Sequence, residues 1–273
     1  MWTETTRENH KRQSERYSSD LTNKEFALIE GLFPARRRLG RPRTTDFREV
    51  INAILYLLRT GCQWRMLPKE FPPSGTVYGY FRSWKRDGAW ARLHHKLLMA
   101  VRERSGREAG PTAGIIDSQS VKTTESGGIR GYDAGKKIKG RKRHIIVDTE
   151  GFLLQAVVHE ASTQDRDGAV IVLKQVRKLF PFLKLIWADG GYRGPKLAKE
   201  FHKIASWKLQ IVKRNEDVSG FKVLPHRWVV ERTFAWMGRN RRLAKDFEKI
   251  VETSMTYLEV AMIQLMIRRL ARS

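Results

Sequence analysis

Three acidic residues stand out by type and setting. Asp117 follows the apolar run Gly114-Ile115-Ile116, and Asp189 follows Ile186-Trp187-Ala188. Both patterns read as short strands ending in a carboxylate, the place where open α/β sheets put functional groups. An ionised carboxylate there is costly to bury without a cation, whereas two or three converging carboxylates make a hard-oxygen site suited to Mg²⁺ or Mn²⁺. A strand-end Asp that begins a turn or caps a helix is the competing reading for either residue alone. The third acid, Glu231, lies in Arg227-Trp228-Val229-Val230-Glu231-Arg232-Thr233-Phe234. On a helix Val230, Phe234 and Met237 form the buried stripe, and Glu231, about 100° round from Val230, borders the core with Arg227 one turn before it. A surface ion pair between Arg227 and Glu231 competes with a role in chemistry.

The setting of these acids is strongly basic. The 273 residues carry 53 Lys and Arg against 29 Asp and Glu, a net charge of +24. That excess implies a polyanionic partner. Because the cations are spread along the chain and not gathered beside one hydrophobic anchor, nucleic acid fits better than an anionic membrane. No run of about 18 apolar residues occurs, and the first residues are polar, so neither a membrane span nor a secretory signal is expected and a cytosolic location is. Cys62 is the single cysteine, which excludes an internal disulfide and a multi-cysteine zinc site. His94 and His95 have no nearby acidic partners and do not read as zinc ligands. Asp165 and Asp167 precede a helix and read as caps, and Asp148 reads as a turn residue.

The elements that must position the acids follow from periodicity. Thr22 to Glu25 has the form of a capping box ahead of a short helix stopped by Pro34. Val50, Ile51, Ile54, Leu55 and Leu58 mark a second helix ending at Gly61. Val77, Tyr80, Phe81 and Trp84 mark a third, from near Thr76 to Asp87, and Trp90, Leu93, Leu97, Leu98 and Val101 a fourth. A polar arm over 1–20 and an all-helical module over 21–106 are therefore expected. The pattern then changes to strands at 114–118, at 143–147 and 152–158 around a hairpin at Asp148-Thr149-Glu150-Gly151, at 185–188 and at 209–212. Helices are expected through Val170 to Leu179, near Leu197 to Ile204, and over 226–244 and 252–271. Three leading strands, then alternating helix and strand, then helices, is the order of a mixed α/β domain, here over 107–273.

Basic stretches could meet DNA at three places. Arg41 and Arg43 in Gly40-Arg41-Pro42-Arg43 have the form of a short loop entering an A·T-rich minor groove. Arg82, Lys85 and Arg86 lie outward on the third helix, which could serve as a recognition helix. The run Lys136, Lys137, Lys139, Arg141, Lys142 and Arg143 leads into the strands and would meet phosphates near the acids. Solvated charge is the competing reading for the first two.

The segments Ile116-Asp117-Ser118-Gln119-Ser120-Val121-Lys122, Ala188-Asp189-Gly190-Gly191-Tyr192-Arg193-Gly194 and Arg227 to Phe234 resemble, in that order, the three acidic motifs of DDE transposases of bacterial insertion sequences. Gly61-Cys62-Gln63-Trp64-Arg65-Met66-Leu67-Pro68 resembles the module that precedes their catalytic domain. The resemblance covers about residues 20 to 270. It implies a ribonuclease-H-like mixed sheet flanked by helices behind a helical DNA-binding module. It also implies two divalent ions held by Asp117, Asp189 and Glu231, cleavage at the element's terminal inverted repeats, transfer of the 3′-hydroxyl to target DNA, and a homodimer in the DNA complex. Arg193, Arg227, Arg239 and Arg242 join the expected DNA contacts. Where related transposases carry a Tyr and a Lys around the third motif, this chain has Leu224 and Gly238, so those contacts pass to Arg239, Arg241 or Arg242. A metal-dependent nuclease without strand transfer, or a DNA-binding protein with an inactive site, would share most of these features.

Overall fold

The computed structural model of the chain describes residues 3–5, 16–34, 44–212 and 227–272. The basic loop with Arg41 and Arg43, and Leu224 ahead of the third motif, lie outside the described residues. The chain divides into two compact units, one of residues 1–106, 240–242 and 259–273 and one of residues 107–239 and 243–258. The end of the last helix thus groups with the helical unit and not with the α/β stretch expected through 273.

In the helical unit, the capping box forms as the sequence predicts: the Thr22 hydroxyl accepts from the Glu25 N–H and the Glu25 carboxylate from the Thr22 N–H. It starts α1 (Asn23–Ala27). Asp46 caps α2 (Phe47–Thr60), which Gly61 closes at φ 72°, a left-handed conformation that a side chain disfavours. Val50, Ile51, Ile54, Leu55, Leu57 and Leu58 are all buried, so α2 is the central helix. Around it, α3 (Ser74–Arg86) buries Val77, Phe81 and Trp84, and α4 (Ala89–Arg104) buries Trp90, Leu93, Leu97, Leu98 and Val101. Rings of Phe33, Phe47, Trp84 and Trp90 interlock at centroid separations of 4.6 to 5.7 Å. Of the polar arm expected over 1–20, residues 16–20 are packed on the helical unit: Tyr17 packs on Tyr56 and Phe71, Arg16 pairs with Glu49, and Ser19 and Asp20 are buried. One aromatic anchor outweighs the polar composition around it.

The second unit is built on one sheet, with six strands among the described residues: β1 (Ala113–Lys122), β2 (Gly131–Asp133), β3 (Ile138–Val147), β4 (Leu153–Glu160), β5 (Leu185–Ala188) and β6 (Lys208–Ile211). Its order is β2-β3-β1-β5-β6, with β4 also on β3. β3 pairs antiparallel with β1, β2 and β4, whereas β5 is parallel to β1 and β6 to β5. This is the mixed, ribonuclease-H-like arrangement. Four helices complete the element order: α5 (Asp165–Leu179), α6 (Pro195–Ile204), α7 (Arg227–Gly238) and α8 (Val251–Leu270). α5 packs on β3, β4 and α6, and α7 packs on β1 and β3. Ile116 and Ile146 pair across β1 and β3 in the core, with Val172, Leu173 and Val176 of α5 buried beside the sheet.

Two spans differ from expectation. β3 begins at Ile138, so the basic run read as an approach segment is mostly strand, and Arg141, Lys142 and Arg143 within it are buried. The helix expected over 226–244 ends at Gly238, a poor helix residue, and a short 3-10 turn at Arg241–Leu243 follows.

Candidate active site

β1 and β5 set the geometry. Ala113 pairs with Leu185, Gly114 with Ile186 and Ile115 with Trp187. Carried two residues further, this parallel register places Asp117 beside Asp189. Strand side chains alternate, so Asp117 points away from its neighbours Ile116 and Ser118, within electrostatic reach of Asp189 and of Arg227 on α7. Burial pushes the Asp117 carboxyl up to about 6 and the nearby Asp189 charge adds to that, against the opposing pull of the Ser118 N–H, Arg227 and Lys136. Asp189 follows β5 and caps a 3-10 turn at Gly190–Tyr192, its Oδ1 accepting from the Gly191 N–H at 2.8 Å. Asp189 therefore caps this turn and, by the register, neighbours Asp117.

Helix α7 enters from the other side of this pair. Arg227 Nη2 lies 3.6 Å from Asp189 Oδ2, so the cation that could have paired with Glu231 faces the second acid. Glu231 is exposed one turn along the helix. The buried stripe of α7 is Val229, Val230, Thr233 and Met237, with Phe234 only half-buried. Thr233 anchors the helix to the β3–β4 hairpin through Gly151 O at 2.7 Å, and Arg232 does so through Glu150 O, also at 2.7 Å. Asp148 is the turn residue of that hairpin, its Oδ1 accepting from the Glu150 and Phe152 N–H groups.

Sequence reasoning missed a polar network on the opposite face of β1. Asp165 does not cap α5: Gln164 holds the cap position. Instead, Asp165 Oδ1 accepts from the Ser118 hydroxyl at 2.9 Å and from Lys142 Nζ at 3.0 Å, with His144 Nε2 at 3.7 Å. Lys142 and Ser118 hold the Asp165 carboxyl below its ordinary range although burial works the other way. Burial likewise opposes the shift at Asp133, yet the Ser120 hydroxyl, the Lys136 N–H and Lys142 hold its carboxyl down at about 2. Tyr192 is fully buried, and burial followed by the Asp117, Asp165 and Asp189 charges raises its hydroxyl well above the ordinary range. The only signal in sequence was two acids at one helix start, Asp165 and Asp167, where a single residue suffices as a cap.

The expected DNA-contacting residues fall into three groups. Arg82, Lys85 and Arg86 lie on the outer side of α3, with Arg86 paired to Asp87, and Lys137, Lys139, Arg193 and Arg239 are exposed. Lys136 reaches inward, its Nζ donating to Ser118 O at 3.0 Å. Arg141, Lys142 and Arg143 are corrections, because all three are buried and engaged by protein atoms. Arg141 pairs with Asp246 at 3.2 Å and donates to Glu248 O and Lys249 O; Arg143 donates to Leu243 O at 2.8 Å. Arg242 is also turned in, donating to Cys62 O at 3.0 Å. A phosphate would have to displace these bonds to reach any of the four. An open groove of about 390 Å³ lined by Lys122, Arg130, Tyr132, Lys137 and Lys139 offers accessible cations instead.

Asp117 and Asp189 have the chemistry of a divalent-metal site: hard oxygens, neighbouring backbones, and a mutual repulsion that a cation would relieve. Among the described residues no group of three or more His, Cys, Asp or Glu lies close enough together to hold a metal. The two strand-end acids therefore fit a metal, while Glu231 is presented by α7 without joining them. No helix among the described residues is long and apolar enough to cross a membrane.

Residues 108–263, more than half of the chain, match the family model described as "Transposase DDE domain". Residues 21–94 match one described as "Putative transposase of IS4/5 family". The chain is 33% identical over 109 residues to the "Insertion element IS402 uncharacterized 16.2 kDa protein" of Burkholderia cepacia, covering 37% of this chain and 72% of that one. It is 27% identical over 128 residues to the "Putative transposase for insertion sequence element IS402" of the same organism, covering 44% of this chain and 60% of that protein's length. No solved structure matches. The family's chemistry depends on divalent metal and acts on DNA, in keeping with the strand-end acids and the basic surface. By the match over its sheet and helices, this chain belongs to the DDE transposases of insertion sequences.

Proposed function

We propose that the chain binds the terminal inverted repeats of its element, cleaves DNA there by two-metal phosphodiester hydrolysis, and joins the freed 3′-hydroxyl ends to target DNA as a homodimer on that DNA. The observation that carries this reading is the register that sets Asp117 beside Asp189, with Arg227 of α7 against Asp189. Asp117, Asp189 and Glu231 would hold two Mg²⁺ or Mn²⁺ ions. When bound, such ions neutralise charge on the phosphoryl group and favour ionisation of the attacking hydroxyl.

The chain's own residues would supply position and charge. Arg227 orients the Asp189 carboxylate and offsets its charge between catalytic events. Lys136 holds the backbone after Asp117 and keeps a cation close to it. Lys122, Arg130, Lys137 and Lys139, with Arg193 and Arg239, would take backbone phosphates, and Tyr132, exposed among the groove cations, would stack on a base or sugar. Arg82, Lys85 and Arg86 would meet DNA through the helical unit. A phosphate chain laid across these cations explains the net positive charge without Arg141, Lys142, Arg143 or Arg242.

The test incubates purified protein with labelled DNA bearing the element's terminal repeats, with Mg²⁺, with Mn²⁺ and with EDTA, beside Glu231→Gln. Metal-dependent nicking at the repeat boundary, lost in the variant, is expected. Supplying pre-cut ends should then give joined products. Cutting without joining would reassign the chain as a nuclease, and tight binding without cutting as a DNA-binding protein with an inactive site.

A further inference from the structure

We infer that Asp165 is a positioning residue for Asp117, acting through Ser118. This rests on the reading of Asp117 as an acid of the reaction. The Ser118 N–H donates to Asp117 Oδ1 at 2.7 Å, which fixes how the carboxylate leaves the strand. The other polar groups of Ser118 are committed as well. Its hydroxyl donates to Asp165 Oδ1 at 2.9 Å, and Lys136 Nζ donates to its carbonyl at 3.0 Å and its hydroxyl at 3.2 Å.

These bonds belong to a closed ring. Asp165 accepts from Lys142, whose Nζ also donates to Thr163 O at 2.9 Å and lies 3.3 Å from Asp133 Oδ2. Asp133 Oδ2 accepts from the Ser120 hydroxyl at 2.6 Å, and Asp133 Oδ1 accepts from the Lys136 N–H at 3.1 Å. Lys136 then returns to Ser118. Two carboxylates and two ammonium groups balance one another, so the ring needs no outside ion. Ser118, next to Asp117 on β1, is the residue that links this ring to the Asp117 carboxylate. Asp165 also abuts the second acid's turn: a Cβ added at Gly191 would lie 3.1 Å from Asp189 Oδ1 and 3.6 Å from Asp165 Oδ2. A helix-capping acid would show none of these long-range contacts.

The experiment compares Asp165→Asn, Ser118→Ala, Ser118→Thr, the Asp165→Asn/Ser118→Ala double variant and Asp117→Asn. Each is measured for thermal unfolding, binding to terminal-repeat DNA, Mn²⁺ binding to the DNA-free protein by electron paramagnetic resonance, and single-turnover cleavage. Asp165→Asn and Ser118→Ala should each weaken Mn²⁺ binding and slow cleavage by about 10- to 100-fold, with unfolding temperature and DNA affinity near wild type. Ser118→Thr, which keeps the hydroxyl, should restore both. The double variant should be no worse than the poorer single one, because both changes cut the same connection. Losses that multiply in the double variant, or wild-type Mn²⁺ binding and cleavage in Asp165→Asn and Ser118→Ala, would overturn the inference. If Asp165→Asn fails to fold, the Ser118→Ala and Ser118→Thr pair decides it. Cleavage retained in Asp117→Asn would instead remove the underlying site reading.

Discussion

Asp117, within β1, and Asp189, just beyond β5, each lie two residues past the paired Ile115 and Trp187 of these neighbouring parallel strands. Neither side chain holds the core together: Asp189 accepts a turn bond, and Asp117 accepts from the residue next to it. Asp117→Asn and Asp189→Asn should therefore fold and bind terminal repeats normally while losing cleavage, by a factor on the order of 10²–10³ or more, as expected when one preorganised charge is removed from a site. A gel-shift assay and a nicking assay on the same preparations check both halves.

The basic segment over 136–143 serves two ends. Replacing Arg130, Lys137 and Lys139 with Gln should leave stability unchanged and reduce the slope of log K against log salt by about 0.9 for each phosphate no longer neutralised. Arg141→Ala should do the reverse. It strands the buried Asp246 without its partner, a change that commonly costs about 3–5 kcal/mol. Urea unfolding and salt-dependent binding, run on both variants, separate the roles.

How far the sequence disclosed this follows from the reach of each interaction. α2 is legible because five apolar residues at helical spacing and Gly61 lie within one short span, and the strand-end acids because a run of apolar residues precedes each. Arg141 is not, since a buried arginine and a solvated one look alike until the partner is known, and Asp246 lies more than a hundred residues away. Asp165 failed for the same reason: its partner Ser118 is 47 residues distant, and the local pattern of an acid before a helix suggested a cap. Periodicity reports which face is buried. It carries no trace of which polar groups meet there.

Acid sensitivity should originate at His144 and His159, which stack with Nδ1 and Nε2 2.7 Å apart. Burial, reinforced by the facing His159, lowers His144 to about 3; Lys142 and Lys136 act in the same sense and Asp165 against it. Burial lowers His159 as well. These two imidazoles thus bind fewer protons in the folded protein than in the unfolded chain below the ordinary histidine value of 6.5. Their contribution to stability is complete above that pH and is lost as pH drops below 6.5, by up to about 1.4 kcal/mol per pH unit for each proton, while the raised carboxyls of Asp117 and Glu259 work in the opposite sense. The difference in unfolding free energy between wild type and His144→Gln, measured from pH 8 to pH 4.5, should show this slope; a difference independent of pH would remove His144 from the effect.

Glu231 and Met237 share α7 but one is exposed and the other buried, and their substitutions should part accordingly. Met237 is buried, so Met237→Ala should cost about 2–5 kcal/mol through the cavity it leaves, with activity falling in step with the folded fraction. Glu231 is exposed and contributes nothing to that packing. Glu231→Gln should keep the unfolding temperature and end binding while cleavage disappears. Arg227→Ala is intermediate: its partly exposed pair with Asp189 is worth about 0–1 kcal/mol to the fold, yet it frees the Asp189 carboxylate to rotate. Cleavage should drop with little change in stability, and more steeply at low metal concentration, where orientation of the acid matters most. A metal titration of the cleavage rate in Arg227→Ala, set beside its unfolding curve, checks this; equal losses at every metal concentration would place Arg227 on the DNA instead.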